Sequence, residues 1–238
     1  MKESLKMAAF DCRLAGSSLF PSMAALLLIS LGFTAFFSPN VSSFALLNVP
    51  LSLLPLQQAD KKNSGRMYGT IPVHRKSVTR GRFLYMIISG LVSEILAMLI
   101  SVLAIAVNLN RFVPHDNPLM QLAENQYNFK SFLPFGIAVV LFMLVMILSA
   151  ALEMIGQIFG RDNDMRNILI MIIALFVLLF GYIYLAYNLG VLPCPDEIHT
   201  PASLGGKIAL CVVLNAVTVG IAALLGEITA NIVSKREL

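Results

Sequence analysis

Six apolar runs, most of them about as long as a membrane-crossing helix, alternate with polar segments along this chain. They are Leu19–Phe37, Val41–Leu56, Phe83–Val107, Leu133–Phe159, Ile168–Tyr187 and Ile208–Ile228. A helix needs about 20 mostly apolar residues to cross a bilayer, so the pattern predicts six transmembrane helices. The second run is the shortest and contains Pro50 and Pro55, so we expect a kinked helix that continues towards Asp60.

Composition and charge agree with this pattern. The chain is 58% hydrophobic and 13% charged, and a soluble domain of 238 residues cannot bury that much apolar side chain. With the N-terminus in the cytosol, only Arg111, Lys130 and Lys207 of the seventeen Lys and Arg fall in outer segments. The positive-inside rule therefore predicts that both termini are cytosolic. The net charge of +4 is explained by this orientation and indicates no nucleic-acid partner.

The predicted fold is an all-α membrane protein with one transmembrane domain, residues 1–238. Residues 1–16 carry an apolar face from Leu5 to Cys12, which predicts an interfacial helix along the inner leaflet before a turn at Gly16–Ser18. A frayed basic N-terminus is the alternative. In the outer segment 188–206, a short helix that dips back into the membrane and a plain surface loop both fit the sequence.

Motifs for catalysis are absent from the sequence. There is no phosphate-binding loop, no nucleophile elbow and no metal-spaced Cys and His cluster. His74, His115 and His199 lie in separate loops on two sides of the membrane, so they cannot share a metal ion. We therefore expect no enzyme activity and no metal site in this chain. Any ATP hydrolysis would have to come from a partner subunit.

The segment 60–82 is the longest predicted cytosolic connection, and it is basic and patterned. Pro72 forces the residue before it into an extended conformation, and a helix can begin at Arg75 and run into the third span. On that helix Lys76 and Arg80 are four residues apart and share a face. Movement of the segment would be transmitted to the span, because a helix is stiff over this length. The alternative is that its cations, Arg80 and Arg82 above all, only reach lipid headgroups.

The run from Ile71 to Leu84 resembles the signature of small six-helix ATP-binding cassette (ABC) permeases of the type-2 family. In that family a Pro-Val-Ser-Arg-like segment precedes a valine and a basic–aromatic pair at the head of the third helix. The matching residues are Pro72, Val73, Arg75, Val78, Arg82 and Phe83, with His74 where serine is usual. The closing segment Ser234–Glu237 is also similar to the C-terminal tail of that family.

The resemblance implies a permease subunit of the plasma membrane that works as a homodimer, or with a related permease, beside separate ABC ATPase subunits. Those partners would bind ATP and Mg. Within the family the chain is similar to membrane subunits that export phenol-soluble modulins, so the implied cargo is an amphipathic peptide or a lipid-like compound. The segment 60–82 would then be the coupling segment on the ATPase. Its candidate residues are Arg66, Tyr68, Pro72, Val73, His74, Arg75, Lys76 and Arg80.

Three acidic residues lie within predicted spans. Glu94 is near the middle of the third, where a carboxylate costs a few kcal/mol and normally faces protein or water. It is the candidate for lining a cargo cavity, and a hydrogen-bonded or protonated glutamate between helices is the alternative. Glu153 and Glu227 lie near the cytosolic ends of the fourth and sixth spans, where we expect them to reach headgroups or basic loops.

Two other classes of function stay open at this point. A non-transporting membrane scaffold or immunity protein would bind peptide or tether a partner with the same helices. An ion-coupled carrier is disfavoured, because no internal repeat is visible and Glu94 has no evident partner. Co-purification with an ATPase would separate the exporter subunit from the carrier.

Overall fold

The computed structural model of the protein describes residues 2–36, 45–63, 74–107, 137–159, 173 and 204–235. Within these ranges the chain forms five long helices and no strand, so the all-α prediction is confirmed for this part of the chain. A short 3₁₀ turn over residues 45–47 leads into the second helix. The helices are α1 (Lys2–Phe36), α2 (Asn48–Asn63), α3 (Arg75–Val107), α4 (Ile137–Phe159) and α5 (Leu204–Lys235).

Three helices of the described part are long and apolar enough to cross a membrane, namely Arg75–Val107, Leu141–Phe159 and Ile208–Lys235. They coincide with the third, fourth and sixth predicted spans. The apolar parts of α1 and α2 are shorter and cover Met23–Gly32 and Ala45–Gln57. The fifth predicted span, 168–187, lies outside the described residues except for Ile173, which is helical.

The starts of α2 and α3 follow from their prolines and polar residues. Pro50 lies in the first turn of α2, where its missing N–H would have no helical partner, and Pro55 lies inside the helix. The helix nevertheless continues to Asn63, as predicted. α3 begins at Arg75, also as predicted, and the carbonyl of His74 accepts hydrogen bonds from the backbone N–H groups of its first turn.

α1 differs from the prediction, because its backbone stays helical through residues 16–18, where we expected a turn. Glycine and serine lower helix propensity by at most about 1 kcal/mol per residue, which packing against neighbouring helices can offset. α1 lies along α3 in the same direction. Met7 packs at Gly81, and Leu26 shares a small cleft with Leu96, further along both helices.

The other three helices run antiparallel to α3. The contacts that define their directions are Arg82 with Glu153, Gly90 with Met146, Arg80 with Glu227, Glu94 with Asn215, Ser89 with Ser52 and Ser93 with Asn48. Side chains early in α3 thus meet residues late in α4 and α5. Since α4 and α5 share a direction, Phe159 and Leu204 lie at opposite ends of the bundle.

Glycines mark the points where other helices come closest to α3. A Cβ atom added at Gly81 would lie 3.0 Å from the Ser4 carbonyl oxygen of α1, and one added at Gly90 would collide with Met146 of α4. At Gly226 of α5 it would lie 2.8 Å from Cγ of Phe83. Small residues let helix backbones approach closely in membranes. α3 is therefore the helix around which the described part of the bundle packs.

Gly226 and Gly220 of α5 provide a test of this close packing. Gly226→Ala should destabilise the protein by about 1–3 kcal/mol, because the new methyl group meets the Cβ and Cγ atoms of Phe83, which cannot swing away. Gly220→Ala is the matched control, since open space surrounds that position. Thermal unfolding in detergent would measure both. Equal melting temperatures for the two variants would contradict the described contact between α3 and α5.

Candidate functional site

Charged residues collect at the end of the bundle where α3 begins. α1 also begins there, and α2, α4 and α5 end there, because of the helix directions described above. The Lys and Arg residues of the described helices lie towards this end, with the exception of Lys207 near the start of α5. We call it the charged end.

Glu227 of α5 receives two cations from the first turns of α3. Arg80 binds it with two parallel hydrogen bonds, one of them from Nε to Oε2 at 2.7 Å. Lys76 Nζ lies 3.7 Å from Glu227 Oε1 and donates to Oδ1 of Asn231 at 2.6 Å. Lys76 and Arg80 therefore share a face, as their spacing predicts. We call Lys76, Arg80, Glu227 and Asn231 the Glu227 cluster.

A second ion pair, between Arg82 and Glu153, joins α3 to α4 on the other side. Arg82 Nη1 lies 3.4 Å from Glu153 Oε1, and the Gln157 amide donates to the same oxygen at 2.8 Å. The Arg82 and Glu153 side chains are 4% and 0% exposed. The sequence had suggested headgroup contacts for Arg82 and contacts with headgroups or basic loops for Glu153. The structure instead buries the two side chains against each other.

α1 meets the same stretch of α3. The Ser77 hydroxyl donates to Glu3 Oε2 at 3.1 Å, and Gly81 lies against the α1 backbone. The first turns of α3, residues 75–83, therefore contact α1, α4 and α5 together. Any displacement of this stretch acts on three other helices at once, and this geometry makes the charged end the candidate functional site.

The two ion pairs of the charged end differ in their exposure to solvent. The side chains of Arg80 and Glu227 are 38% and 43% exposed, in contrast to the buried Arg82 and Glu153. Solvent-exposed pairs contribute at most about 1 kcal/mol to stability, because water and salt compete for the charges. Breaking a buried pair costs about 3–5 kcal/mol, since it leaves a charge without compensation.

The structure places four of the eight candidate coupling residues. His74 and Arg75 are exposed just before and at the start of α3, whereas Lys76 and Arg80 belong to the Glu227 cluster. The remaining four candidates, Arg66, Tyr68, Pro72 and Val73, lie outside the described residues. The exposed candidates His74 and Arg75 thus lie at the start of α3, the helix around which the described helices pack.

The sequence analysis named Glu153 and Glu227 but did not predict which arginine each of them binds. Arg82 lies about as far from the start of α3 as Glu153 lies from the end of α4, and Arg80 and Glu227 are similarly matched. The start of α3 and the ends of α4 and α5 lie at the same end of the bundle. Equal distances from these helix termini therefore place the opposite charges at the same depth. This depth match is the signal in the sequence that points to the two pairs.

Glu94 is enclosed between α3 and α5. It is 3% exposed, and its Oε1 accepts a hydrogen bond of 2.8 Å from the side-chain amide of Asn215. This is the hydrogen-bonded arrangement between helices that the sequence left open as an alternative. In the described conformation Glu94 is closed off from a cargo molecule, and contact with one requires a change in the packing around it.

A second polar seam joins α2 and α3 next to a small cleft. Asn48 donates to Ser93 at 3.2 Å, and the hydroxyls of Ser52 and Ser89 are 3.2 Å apart. The residues that line the cleft are Met23, Leu26, Leu27, Ala45, Asn48, Ser93 and Leu96. Glu94 is not among them, so the cleft and the Glu94 contact are separate features.

No family model, curated protein or solved structure matches the chain. Within the described ranges, no group of three or more His, Cys, Asp or Glu side chains is arranged to hold a metal ion. The chemistry of the described part therefore consists of ion pairs and hydrogen bonds between helices. The described features that bear on function are the charged end and the contact between α3 and α5 at Glu94 and Asn215.

The Arg82 and Glu153 pair provides the second testable prediction. Glu153→Gln should destabilise the protein by about 3 kcal/mol, because the buried Arg82 loses the negative charge of Glu153. Thermal unfolding in detergent would measure the loss. The double variant Arg82→Leu with Glu153→Leu should recover much of it, since apolar side chains of similar size remove both charges. A double variant less stable than Glu153→Gln would contradict this account.

Proposed function

We propose that the chain is the transmembrane permease subunit of an ATP-driven ABC exporter. In this proposal it works in the plasma membrane as a homodimer, or with a related permease, and a separate ATPase subunit binds ATP and Mg. The chain itself carries no catalytic role. Its cargo is an amphipathic peptide or another largely apolar compound.

The observation that carries the proposal is the position of residues 75–83. His74 and Arg75 are exposed at the charged end, and the residues directly after them contact α1, α4 and α5. A partner that moves this exposed start of α3 therefore moves the helix around which the others pack. This is the mechanical arrangement that a subunit driven by an external ATPase requires.

The distribution of charge supports a cytosolic position for the charged end. Most Lys and Arg of the described helices lie towards it, and cytoplasmic segments of membrane proteins carry an excess of these residues. Six crossings are also part of the proposal. Phe159 and Leu204 lie at opposite ends of the bundle, so residues 160–203 connect the two ends, which supports a fifth crossing by residues 168–187.

The proposed cargo rests on the resemblance of the segment 71–84 to peptide-exporting permeases. The chemistry of the seam between α3 and α5 is compatible with it. An amphipathic cationic helix needs an apolar wall with an acidic group, and Glu94 is a carboxylate between otherwise apolar helices. Contact with such a cargo requires this seam to open.

Charge reversal at Arg75 tests the coupling role. Arg75→Glu should reduce co-purification with the ATPase subunit about tenfold, because it replaces a cation at the start of α3 by an anion. Quantitative affinity capture from membranes would measure the effect. Arg75 also interacts within the subunit, so thermal unfolding of the same variant has to accompany the capture measurement.

Lys6→Glu is the matched control for this experiment. Lys6 is an exposed cation near the charged end, but it lies on α1 and outside the candidate coupling segment. Normal capture with Arg75→Glu, or an equal loss with Lys6→Glu, would contradict the coupling proposal. Stimulation of the captured ATPase by an amphipathic peptide then separates an exporter from a scaffold, because a scaffold that only binds peptide gives no stimulation.

A further inference from the structure

We infer that the seam between α3 and α5 opens at the charged end, that the Glu227 cluster holds it closed, and that α4 stays fixed to α3. The inference concerns which helix moves, and it goes beyond the proposed function. It depends on the contrast between two ion pairs that lie at the same depth of the bundle and connect α3 to different helices.

Arg80 and Arg82 of α3 point in different directions. Arg80 and Arg82 are two residues apart, which places them about 200° apart around the helix. Their side chains therefore reach different neighbours, Glu227 on α5 and Glu153 on α4. Because both pairs lie within one turn of α3, a movement at the charged end loads both of them together.

The second step is the ease with which each pair separates. In the Glu227 cluster, the side chains of Lys76, Arg80 and Glu227 are 37%, 38% and 43% exposed. Water can replace these contacts as they open, so the separated charges remain solvated. The pair that holds α4 has almost no access to solvent, so water does not replace its contact as the two side chains move apart. The same load therefore separates α5 before α4.

The third step is the apolar packing behind each ion pair. In the most apolar stretch of α5, 17% of the residues are buried inside the protein, whereas the corresponding share in α4 is 39%. α5 is thus the more peripheral of the two helices, and fewer of its residues are buried when the Glu227 cluster separates.

Opening of this seam would expose the residues beneath the Glu227 cluster in a fixed order. Phe83 against Gly226 and the buried Ala222 come first, and the Glu94 and Asn215 hydrogen bond lies further from the charged end. If the chain is the permease of the proposed function, on which this step rests, the seam is the cytosolic entry for cargo. Glu94 is then the acidic residue that the cargo contacts.

Alkylation of introduced thiols tests the inference in the purified full-length protein. The background replaces Cys12, Cys194 and Cys211 with alanine. Ala222→Cys then reports on the seam with α5, and Ala150→Cys reports on α4. Both alanines are fully buried in one apolar cluster with Phe83 and Met86, so the two reporters are matched.

Glu227→Gln should raise the rate at which a hydrophilic maleimide modifies the thiol from Ala222→Cys, by up to about fivefold, and leave the rate at position 150 unchanged. The charge swap Arg80→Glu with Glu227→Arg should restore the slow rate, because it re-forms the pair. Lys6→Gln removes an exposed charge on α1 and should change neither rate.

Ionic strength gives a second measurement that needs no change in the cluster. Salt at about 1 M instead of about 0.01 M shortens the screening length from about 30 Å to about 3 Å. It should accelerate modification at position 222 when Glu227 is present and have little effect after Glu227→Gln. Equal acceleration at both reporters, or none at position 222 in either measurement, would overturn the inference.

Distances between spin labels provide a check that leaves the buried cluster intact. His74, Phe159 and Lys235 are exposed near the charged end on or beside α3, α4 and α5. Glu227→Gln should lengthen the distance from position 74 to position 235 and preserve the distance from 74 to 159. Unchanged distances in both pairs would count against the inference. No ATPase or cargo is present, so failure here leaves the transport proposal untouched.

Discussion

The contacts of α3 through its first turns are the interaction on which the described structure depends. A bilayer offers no water to charges inside it, so a cation that enters an apolar bundle has to meet an anion or a polar group on another helix. Arg82 meets Glu153 on α4, and Arg80 meets Glu227 on α5. These pairs fix the depth of both helices relative to α3, while Gly81, Gly90 and Gly226 allow the close packing.

This arrangement concentrates the polar contacts of four helices at one end. A short stretch of α3 contacts three neighbours there, whereas the rest of α3 presents an apolar stripe outward, formed by Ile88, Val92, Ile95, Leu99 and Leu103. Residues three or four apart lie on one face of a helix, so the stripe follows from the sequence. The helix is thus divided into a polar end that can receive a partner and an apolar body that suits lipid or other apolar surfaces.

Much of the local structure could be predicted from the sequence, whereas the pairing between helices could not. The start of α3 at Arg75 and the continuation of α2 past Pro55 were both predicted. The expected turn at Gly16–Ser18 was wrong, because the backbone is helical there and glycine and serine disfavour a helix only weakly. Glu94 meets Asn215 only because α3 and α5 have a particular rotation about their axes and a particular depth relative to each other. A single sequence gives neither of these quantities directly. Comparing how many residues separate each charged residue from the helix terminus at the charged end gives their relative depth. It does not give the rotation of the helices about their axes.

The magnitudes of the three polar contacts along α3 decide how the bundle can change shape. The exposed Arg80 and Glu227 pair contributes at most about 1 kcal/mol, and a hydrogen bond between membrane helices such as that of Glu94 with Asn215 contributes about 0.6–2 kcal/mol. Their sum is at most about 3 kcal/mol, which does not exceed the cost of about 3–5 kcal/mol for breaking the buried Arg82 and Glu153 pair. By these polar contacts alone, separation of α5 from α3 is the cheaper movement, even when it extends as far as Glu94. A force applied at the start of α3 would open this side of the bundle first, with α4 still attached to the helix that receives the force.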